Sequence, residues 1–154
     1  MSQLMSDSSG SDSTVATSPG GYNTAMGLSF VTATGDEVVA ELEVGEQHLQ
    51  PYGIVHGGVY CGAVETTCSV GAGLYSAAAG QAVVGVENHT SFLRAVRAGK
   101  LRITAVPLSR GRRTQIWEAS IRDARQRLVA TGRVRLLCLD PDSQLAGEKV
   151  ELKG

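Results

Sequence analysis

The sequence predicts an α+β fold in which a curved antiparallel β-sheet wraps around one long central helix. Three observations carry this. Residues 57–79 form a helix-length run of small and apolar residues interrupted by one charged side chain, Glu65. Two strand-like runs precede that stretch and four follow it. Turn-forming segments, "TGDE", "RAGK", "SRGR" and "DARQ", join the runs, which makes consecutive strands antiparallel neighbours.

Taken in order, residues 1–20, "MSQLMSDSSGSDSTVATSPG", hold seven serines and almost nothing to bury, and read as a disordered tail. They lack the basic start and apolar run of a signal peptide. Residues 21–140 form the folded domain, and 141–154 a short C-terminal tail. The domain opens with a short helical turn or loop, followed by a strand over 28–34 and the "TGDE" turn. Val38, Ala40, Leu42 and Val44 then alternate with Val39, Glu41 and Glu43, the period of a strand with one wet face. Pro51 and Gly53 mark "GEQHLQPYG" as a loop. The helix runs from about 57 to 79, and Gly80 is its stop. Strands follow at about 82–94, 100–108, 113–122 and 128–139. In the second of these Leu101, Ile103 and Ala105 alternate with Arg102 and Thr104. In the third Gln115, Trp117 and Ala119 alternate with Ile116, Glu118 and Ser120. A helix apolar nearly all round has to be covered, and a strongly curved sheet does that.

Composition removes several classes of function. A net charge of −1 gives no bulk attraction to nucleic acid or to an acidic membrane surface. The glycines, Glu65, Thr66, Thr67 and Ser69 argue against a membrane span in the central stretch. Cys61, Cys68 and Cys138 are an odd count without a CxxC, which predicts buried reduced thiols in a cytoplasmic protein. Three histidines with no metal-ligand spacing predict no metal site.

Glu65 remains to be explained, because an unpartnered carboxylate among apolar residues is costly. A structural carboxylate paired with an arginine or capping a backbone group is the bland explanation. The surrounding motif points elsewhere. "HLQPYGIVHGGVYCGAVETTCSVGAG", followed by "VVGVENHTSFLRAVRAGK", resembles the hotdog-fold thioesterases, and among them the PaaI-type and Arthrobacter-type 4-hydroxybenzoyl-CoA thioesterases. The similarity covers residues 22–140. It rests on Gln50, Gly53, Val55, His56, Gly57 and Gly58, on Glu65 in the following helix, and on "NHTSF-R" downstream.

That resemblance implies hydrolysis of an acyl-CoA thioester with no added cofactor, coenzyme A being part of the substrate. It makes Glu65 the nucleophile or general base, and the Gly57 backbone N–H the group that polarises the thioester carbonyl. Gln50 orients the thioester, Ser69 holds water or substrate, and His56 fixes the loop before the helix or touches substrate. The segment Asn88, His89, Thr90, Ser91 and Arg94, with Arg112 and Arg113 of "RGRRT", lies by the same resemblance near the pantetheine arm and nucleotide. Arginine forks suit phosphate oxygens, while solvated turn charges are the plain alternative for Arg94, Arg97, Lys100, Arg110, Arg112 and Arg113.

The chemistry is physically coherent. Thioester hydrolysis places negative charge on a carbonyl oxygen, and a helix N-terminus offers unpaired N–H groups to receive it. Glu65 lies eight residues beyond Gly57, a rise of about 12 Å. One carbonyl cannot meet both in one chain. A two-fold dimer with helices side by side in opposite directions brings Gly57 of one subunit to Glu65 of the other. Gly58, Gly62, Gly73 and Ala63 are expected to permit that close helix approach. The expected assembly is therefore a homodimer or a dimer of dimers, as in hotdog relatives.

Two other functions compete. A non-catalytic acyl-CoA binding module has no use for a lone carboxylate at this place. A hydratase of this fold uses an Asp/His pair on the loop before the helix, and no aspartate lies between Asp36 and Asp123. Cys61 and Cys68 have no histidine at a helical offset to activate a thiol. Tyr52, Val59, Tyr60, Phe92 and Trp117 are candidates either for the acyl pocket or for plain core.

Overall fold

A computed structural model of the chain describes residues 20–151. The elements are α1 (Gly20–Met26), β1 (Ser29–Ala33), β2 (Val38–Val44), a 3₁₀ turn (Glu46–His48), α2 (Gly57–Ala77), β3 (Ala82–Phe92), β4 (Gly99–Arg110), β5 (Thr114–Arg122), β6 (Leu128–Leu139), β7 (Gln144–Leu145) and β8 (Glu148–Lys149). Strands β1 to β6 form one sheet in the order β1-β2-β4-β5-β6-β3, with every neighbouring pair antiparallel. The α+β architecture is as expected, a long helix held in the curve of a six-stranded antiparallel sheet. Of the tail expected over residues 1–20, residues 1–19 lie outside the described residues, and Gly20 instead opens α1. The segment expected to be a C-terminal tail contains the small β7–β8 hairpin.

The core follows from period two meeting period 3.6. Val38, Ala40 and Leu42 of β2, Leu101, Ile103 and Ala105 of β4, Trp117, Ala119 and Ile121 of β5, and Val134 and Leu136 of β6 point inward and are buried. They meet Tyr60, Ala63, Val64, Thr67, Cys68, Gly71 and Ala72, a stripe along α2 at helical spacing. A side chain at Gly71 would strike the Trp117 ring, so glycine there lets the largest core residue lie flat against the helix. Trp117 donates its ring N–H to Gln115 at 2.9 Å, and the buried Gln115 amide reaches Ser76 at 2.6 Å and the Ala72 carbonyl at 3.2 Å. Trp117 is therefore core, not pocket.

Several expectations are corrected. The "RAGK" segment is not a hairpin turn, because β3 before it pairs with β6 while β4 after it pairs with β2 and β5. Helix α2 stops at Ala77, because Gly80 takes φ 68° and the Gln81 N–H returns to the Ser76 carbonyl at 3.2 Å. Strand β3 stops at Phe92, which leaves Arg94 on the following loop. The small residues of α2 mostly serve this chain's own packing: Gly62 lies under the Tyr22 ring of α1, Gly73 packs on Val83 of β3, and Ala63 is in the core. Only Gly58 stays exposed. The helix is also not covered all round. Cys61, Glu65, Thr66 and Ser69 lie half-buried on the side away from the core stripe.

One feature of the sheet bears on function. β3 is an edge strand of eleven residues, hydrogen-bonded to β6 alone. Val86, Phe92 and Leu93 on or beside it are 52%, 54% and 55% exposed. A long edge with apolar side chains is a template for another strand.

Candidate active site

The loop before α2 is tied down on both sides. Gly53, at φ 70°, closes a turn in which its N–H donates to the Gln50 carbonyl at 2.8 Å. Arg97 donates to the carbonyls of Tyr52 and Gly53 at 2.9 and 3.0 Å, and Val55 N–H donates to the Val96 carbonyl at 2.8 Å. His48 is buried and joins the Gly45 N–H at 2.9 Å to the Met26 carbonyl at 2.7 Å. His56 N–H donates in turn to the His48 carbonyl at 2.8 Å. His56 is the N-cap of α2, its Nδ1 accepting the Gly58 N–H at 2.8 Å. This is the loop-fixing role, and it leaves the Gly57 N–H, the first amide of the helix, with no acceptor among the described residues.

Gly57 sits in a cleft of about 330 Å³ lined by Gln50, Ile54, Val55, Tyr60, Phe92, Leu93, Arg94 and Ala95. The Phe92 ring lies against the Gly57 α-carbon where a side chain would be. Three residues expected at the site thus share one cleft: Gln50, Gly57 and Arg94. The Gln50 side-chain oxygen accepts the Tyr52 N–H, which holds the side chain against its own turn.

Glu65 is elsewhere. It lies two helical turns further along α2, half-buried, against β3. The Asn88 amide nitrogen donates to its Oε2 at 2.9 Å and to the Cys61 carbonyl at 3.1 Å. Thr90 donates to the Asn88 oxygen at 2.7 Å, which fixes which way the amide faces. Ser69 approaches Glu65 Oε1 at 3.5 Å, the contact expected from its place one turn on. Among the described residues no lysine, arginine or histidine forms an ion pair with Glu65. The structural explanation by an arginine partner is therefore not met. Gly85 faces Glu65 so closely that a β-carbon there would overlap the carboxylate, and β3 bulges directly after it, between Gly85 and Glu87. Gly85 and the positioning role of Asn88 were missed in the sequence. The glycine inside an otherwise β-rich run, "VVGVE", was the available signal for a close approach.

The remaining predicted residues separate by face. Asn88, Thr90 and Phe92 turn toward α2, so His89 and Ser91 between them fall on the other face of β3. Arg112 and Arg113 occupy the β4–β5 turn at the far end of α2, beside a hollow of about 430 Å³ that Gln81, Leu137, Cys138 and Asp140 complete. The basic residues divide cleanly. Lys100 and Arg102 pair with Glu41, Arg110 pairs with Asp36 and lies over Tyr75, and Arg97 holds the Gln50 turn. The side chains of Arg94, Arg112 and Arg113 have no hydrogen-bond or ion-pair partner among the described residues.

Thiol chemistry is not favoured. Burial pushes the Cys68 thiol well above its usual range, and the charges of Glu65 and Glu118 add to this. Cys61, Cys68 and Cys138 are free thiols, but only Cys68 is buried as expected, and Cys61 and Cys138 are half-buried. No group of three or more potential metal ligands occurs among the described residues, and none of their helices is long and apolar enough to cross a membrane.

Comparison with known proteins shows the family and fold that the chain shares. A model of the thioesterase superfamily matches residues 52–130. The Mycobacterium tuberculosis protein Rv1847 is 43% identical over 121 residues, 77% of this chain and 86% of that one. Its solved structure superposes with a TM-score of 0.76 at 42% identity, over 77% of this chain and 96% of that chain. The proofreading thioesterase EntH of Cronobacter turicensis is 36% identical over 119 residues, 77% of this chain and 86% of that protein. The structure of thioesterase HI1161 from Haemophilus influenzae matches with a TM-score of 0.71 at 30% identity, over 76% of this chain and 81% of that chain.

Proposed function

The chain belongs to the thioesterase superfamily and is a thioester hydrolase, and from that premise we propose that it hydrolyses an aryl- or medium-chain acyl-CoA in sites shared between two copies of itself. Within the family we assign it to the PaaI-type and Arthrobacter-type group, acting in the cytoplasm without a cofactor.

The observation that carries the reading is the separation of two half-sites in one chain. The Gly57 amide in its cleft and the Glu65 carboxylate against β3 are each prepared for one part of the reaction, about 12 Å apart along the same helix. A second copy brought antiparallel along the exposed edge of β3 sets the two α2 helices side by side in opposite directions. Gly57 of one protomer then faces Glu65 of the other, and a dimer holds two such sites. Dimers of dimers are the larger assembly this reading allows.

In the shared site the thioester oxygen accepts the Gly57 N–H, and Gln50 lies alongside to orient the ester. Glu65 either adds to the carbonyl carbon or removes a proton from a water that adds. In both routes the new oxyanion falls to the Gly57 amide, a donor typically worth about 3 kcal/mol in the transition state. Collapse breaks the carbon–sulfur bond and expels the thiolate of coenzyme A, which takes a proton. Where water adds directly it supplies the second oxygen of the product acid, and where Glu65 adds, a water then cleaves the acyl–Glu65 anhydride to release the acid and restore the carboxylate. Asn88 and Ser69 hold the carboxylate in one orientation for the attack.

The nucleotide end has a place as well. From Glu65 to the end of α2 is twelve residues, about 18 Å, a span suited to an extended pantetheine arm. The free guanidiniums of Arg112 and Arg113 stand there, and Arg94 marks the mouth of the Gly57 cleft. Along β3 that span passes Gly85, which faces Glu65, and Val83, which packs on Gly73, while His89, Thr90 and Ser91 lie on the Gly57 side of Glu65.

The test is Glu65→Gln, which keeps size and hydrogen bonding and removes the charge. The variant is expected to keep its oligomeric state and melting temperature and to lose about a hundredfold to ten-thousandfold in kcat on acyl-CoA esters followed with a thiol-trapping dye. Wild-type turnover in this variant refutes the mechanism.

A further inference from the structure

The Tyr60 hydroxyl is the one buried side-chain oxygen or nitrogen among the described residues that lacks a hydrogen-bond partner. The other buried polar side chains are all engaged. His48 bridges two backbone groups, Thr67 bonds the Ala63 carbonyl at 2.9 Å, Gln115 serves Ser76 and Trp117, and Asp123 takes backbone and side-chain N–H groups of Arg127. A fold that satisfies its polar groups this consistently leaves one exception, and an unpaired buried hydroxyl costs stability. Phenylalanine would fill the same volume without that cost.

The exception lies at the cleft. Tyr60 is 3% exposed and stands one helical turn beyond Gly57. Its ring packs on Phe92 with centroids 5.8 Å apart, and both rings line the Gly57 cleft. The polar side chains that share the cleft, Gln50 and Arg94, do not reach the phenol. No backbone group of the described residues meets it either, and the Gly57 N–H, which has no acceptor among them, makes no bond to the phenol. No group of the described residues meets the hydroxyl, and the residue that carries it forms part of the cleft wall. Burial also pushes the Tyr60 phenol up to about 12, so it stays protonated at physiological pH and acts as a donor rather than a base.

We propose that Tyr60 is a specificity-determining residue for the acyl group, donating a hydrogen bond to a hydroxyl or keto oxygen that the substrate carries beyond its thioester carbonyl. This rests on the acyl-CoA reading above. With the carbonyl held at the Gly57 amide, the acyl group runs into the cleft along the same helix turn, between Phe92 and Val55, and meets Tyr60 at depth. Most of that wall is apolar, so an unsubstituted acyl group also fits. It leaves the phenol unpaired, and the difference between the two substrates is the energy of one neutral hydrogen bond plus the relief of one orphan.

The test uses matched esters that differ by one oxygen: benzoyl-CoA against its para-hydroxy counterpart, and octanoyl-CoA against its hydroxylated counterparts. Wild-type protein is expected to favour the best oxygenated member of a pair by about tenfold in kcat/KM. In Tyr60→Phe that preference is expected to fall to within about twofold, with melting temperature equal to or above wild type because the orphan is gone. A preference that survives Tyr60→Phe overturns the assignment, as does a wild-type protein that favours the unsubstituted member of every pair. A second readout needs no catalysis. Thioether analogues of the same esters are expected to raise the wild-type melting temperature more when oxygenated, and equally in the variant. Discrimination by the analogues without turnover of any ester sinks the hydrolase reading and keeps the Tyr60 assignment. Turnover with no Tyr60-dependent discrimination in either readout does the reverse.

Discussion

The Asn88 amide reaches across from β3 and donates to the Glu65 carboxylate of α2 at 2.9 Å. The same amide caps the Cys61 carbonyl one turn earlier, and Thr90 locks its orientation from behind. A carboxylate on a helix has several rotamers, and this arrangement selects one. The consequence is a carboxylate whose Oε2 is occupied and whose Oε1 has Ser69, at 3.5 Å, as its hydrogen-bonding neighbour among the described residues.

Asn88 is therefore expected to act on turnover more than on binding. Asn88→Ala leaves Glu65 its charge and frees its rotamer, so kcat is expected to drop about tenfold to a hundredfold with KM changed little. Asn88 is exposed, and the melting temperature is expected to stay near wild type. Steady-state kinetics on one acyl-CoA ester decide it. A rise in KM with kcat intact would make Asn88 a substrate-binding residue instead.

How far the molecule was legible beforehand can be argued from the same residues. The alternation in β2, β4 and β5 and the lone acid in an apolar helix are local patterns, and both the sheet and Glu65 were read from them. The partner of Glu65 is 23 residues away on a strand whose register is set by β6. No local pattern announces such a contact. Arginines show the same limit. Arg110 and Arg112 look alike in "SRGRR", yet Arg110 is paired with Asp36, 74 positions distant, while Arg112 has no ion-pair partner among the described residues. The glycines of α2 looked suited to a helix–helix contact between subunits, but Gly62 and Gly73 are used by Tyr22 and Val83 of the same chain. Small residues in a sequence mark close approach without naming what approaches.

The unpaired arginines lead to the second prediction. Arg112 and Arg113 stand together at the end of α2 beside an open hollow. Replacing both by alanine is expected to raise KM for acyl-CoA about tenfold and to leave kcat within about twofold, because exposed charge-assisted contacts to phosphate contribute to binding alone. Raising the salt concentration should move the wild-type KM in the same direction, and the double variant much less. Equal losses in both parameters would place these arginines outside nucleotide recognition.

Stability at low pH has its own marker. Asp123, buried in the β5–β6 turn, accepts the Arg125 and Arg127 N–H groups at 2.9 and 3.0 Å and the Arg127 side chain at 2.8 Å. Burial opposes its charge, but these hydrogen bonds and the Arg127 charge outweigh burial and hold the carboxyl below its usual range. A depressed folded value means the unfolded chain binds the proton first. The stabilisation is therefore complete above the unfolded value of about 4 and is lost as pH falls through the lower folded one. Melting curves of wild type and Asp123→Asn are expected to differ at neutral pH and to converge below about pH 4. A gap that stays constant with pH would show that the turn does not depend on this charge.

Mixing two inactive variants tests whether the site is shared. Glu65→Gln removes the carboxylate. Gly57→Ala sets a methyl group against the Phe92 ring and crowds the amide that receives the oxyanion. Each homodimer carries its defect in both sites. In a heterodimer with shared sites, one site collects both defects and the other collects neither. An equal mixture that exchanges freely is half heterodimer, so about a quarter of wild-type activity is expected to return from two proteins that are inactive alone. A site built within one chain gives no recovery at any ratio, because each chain would keep its own defect whatever its partner. The recovery should also disappear when β3 can no longer pair. Val86→Lys on the exposed edge is expected to shift the protein toward monomer in sedimentation and to abolish complementation. A fully active monomer would remove the two-chain site altogether, since no rotation of the Glu65 side chain spans the two helical turns that separate it from Gly57.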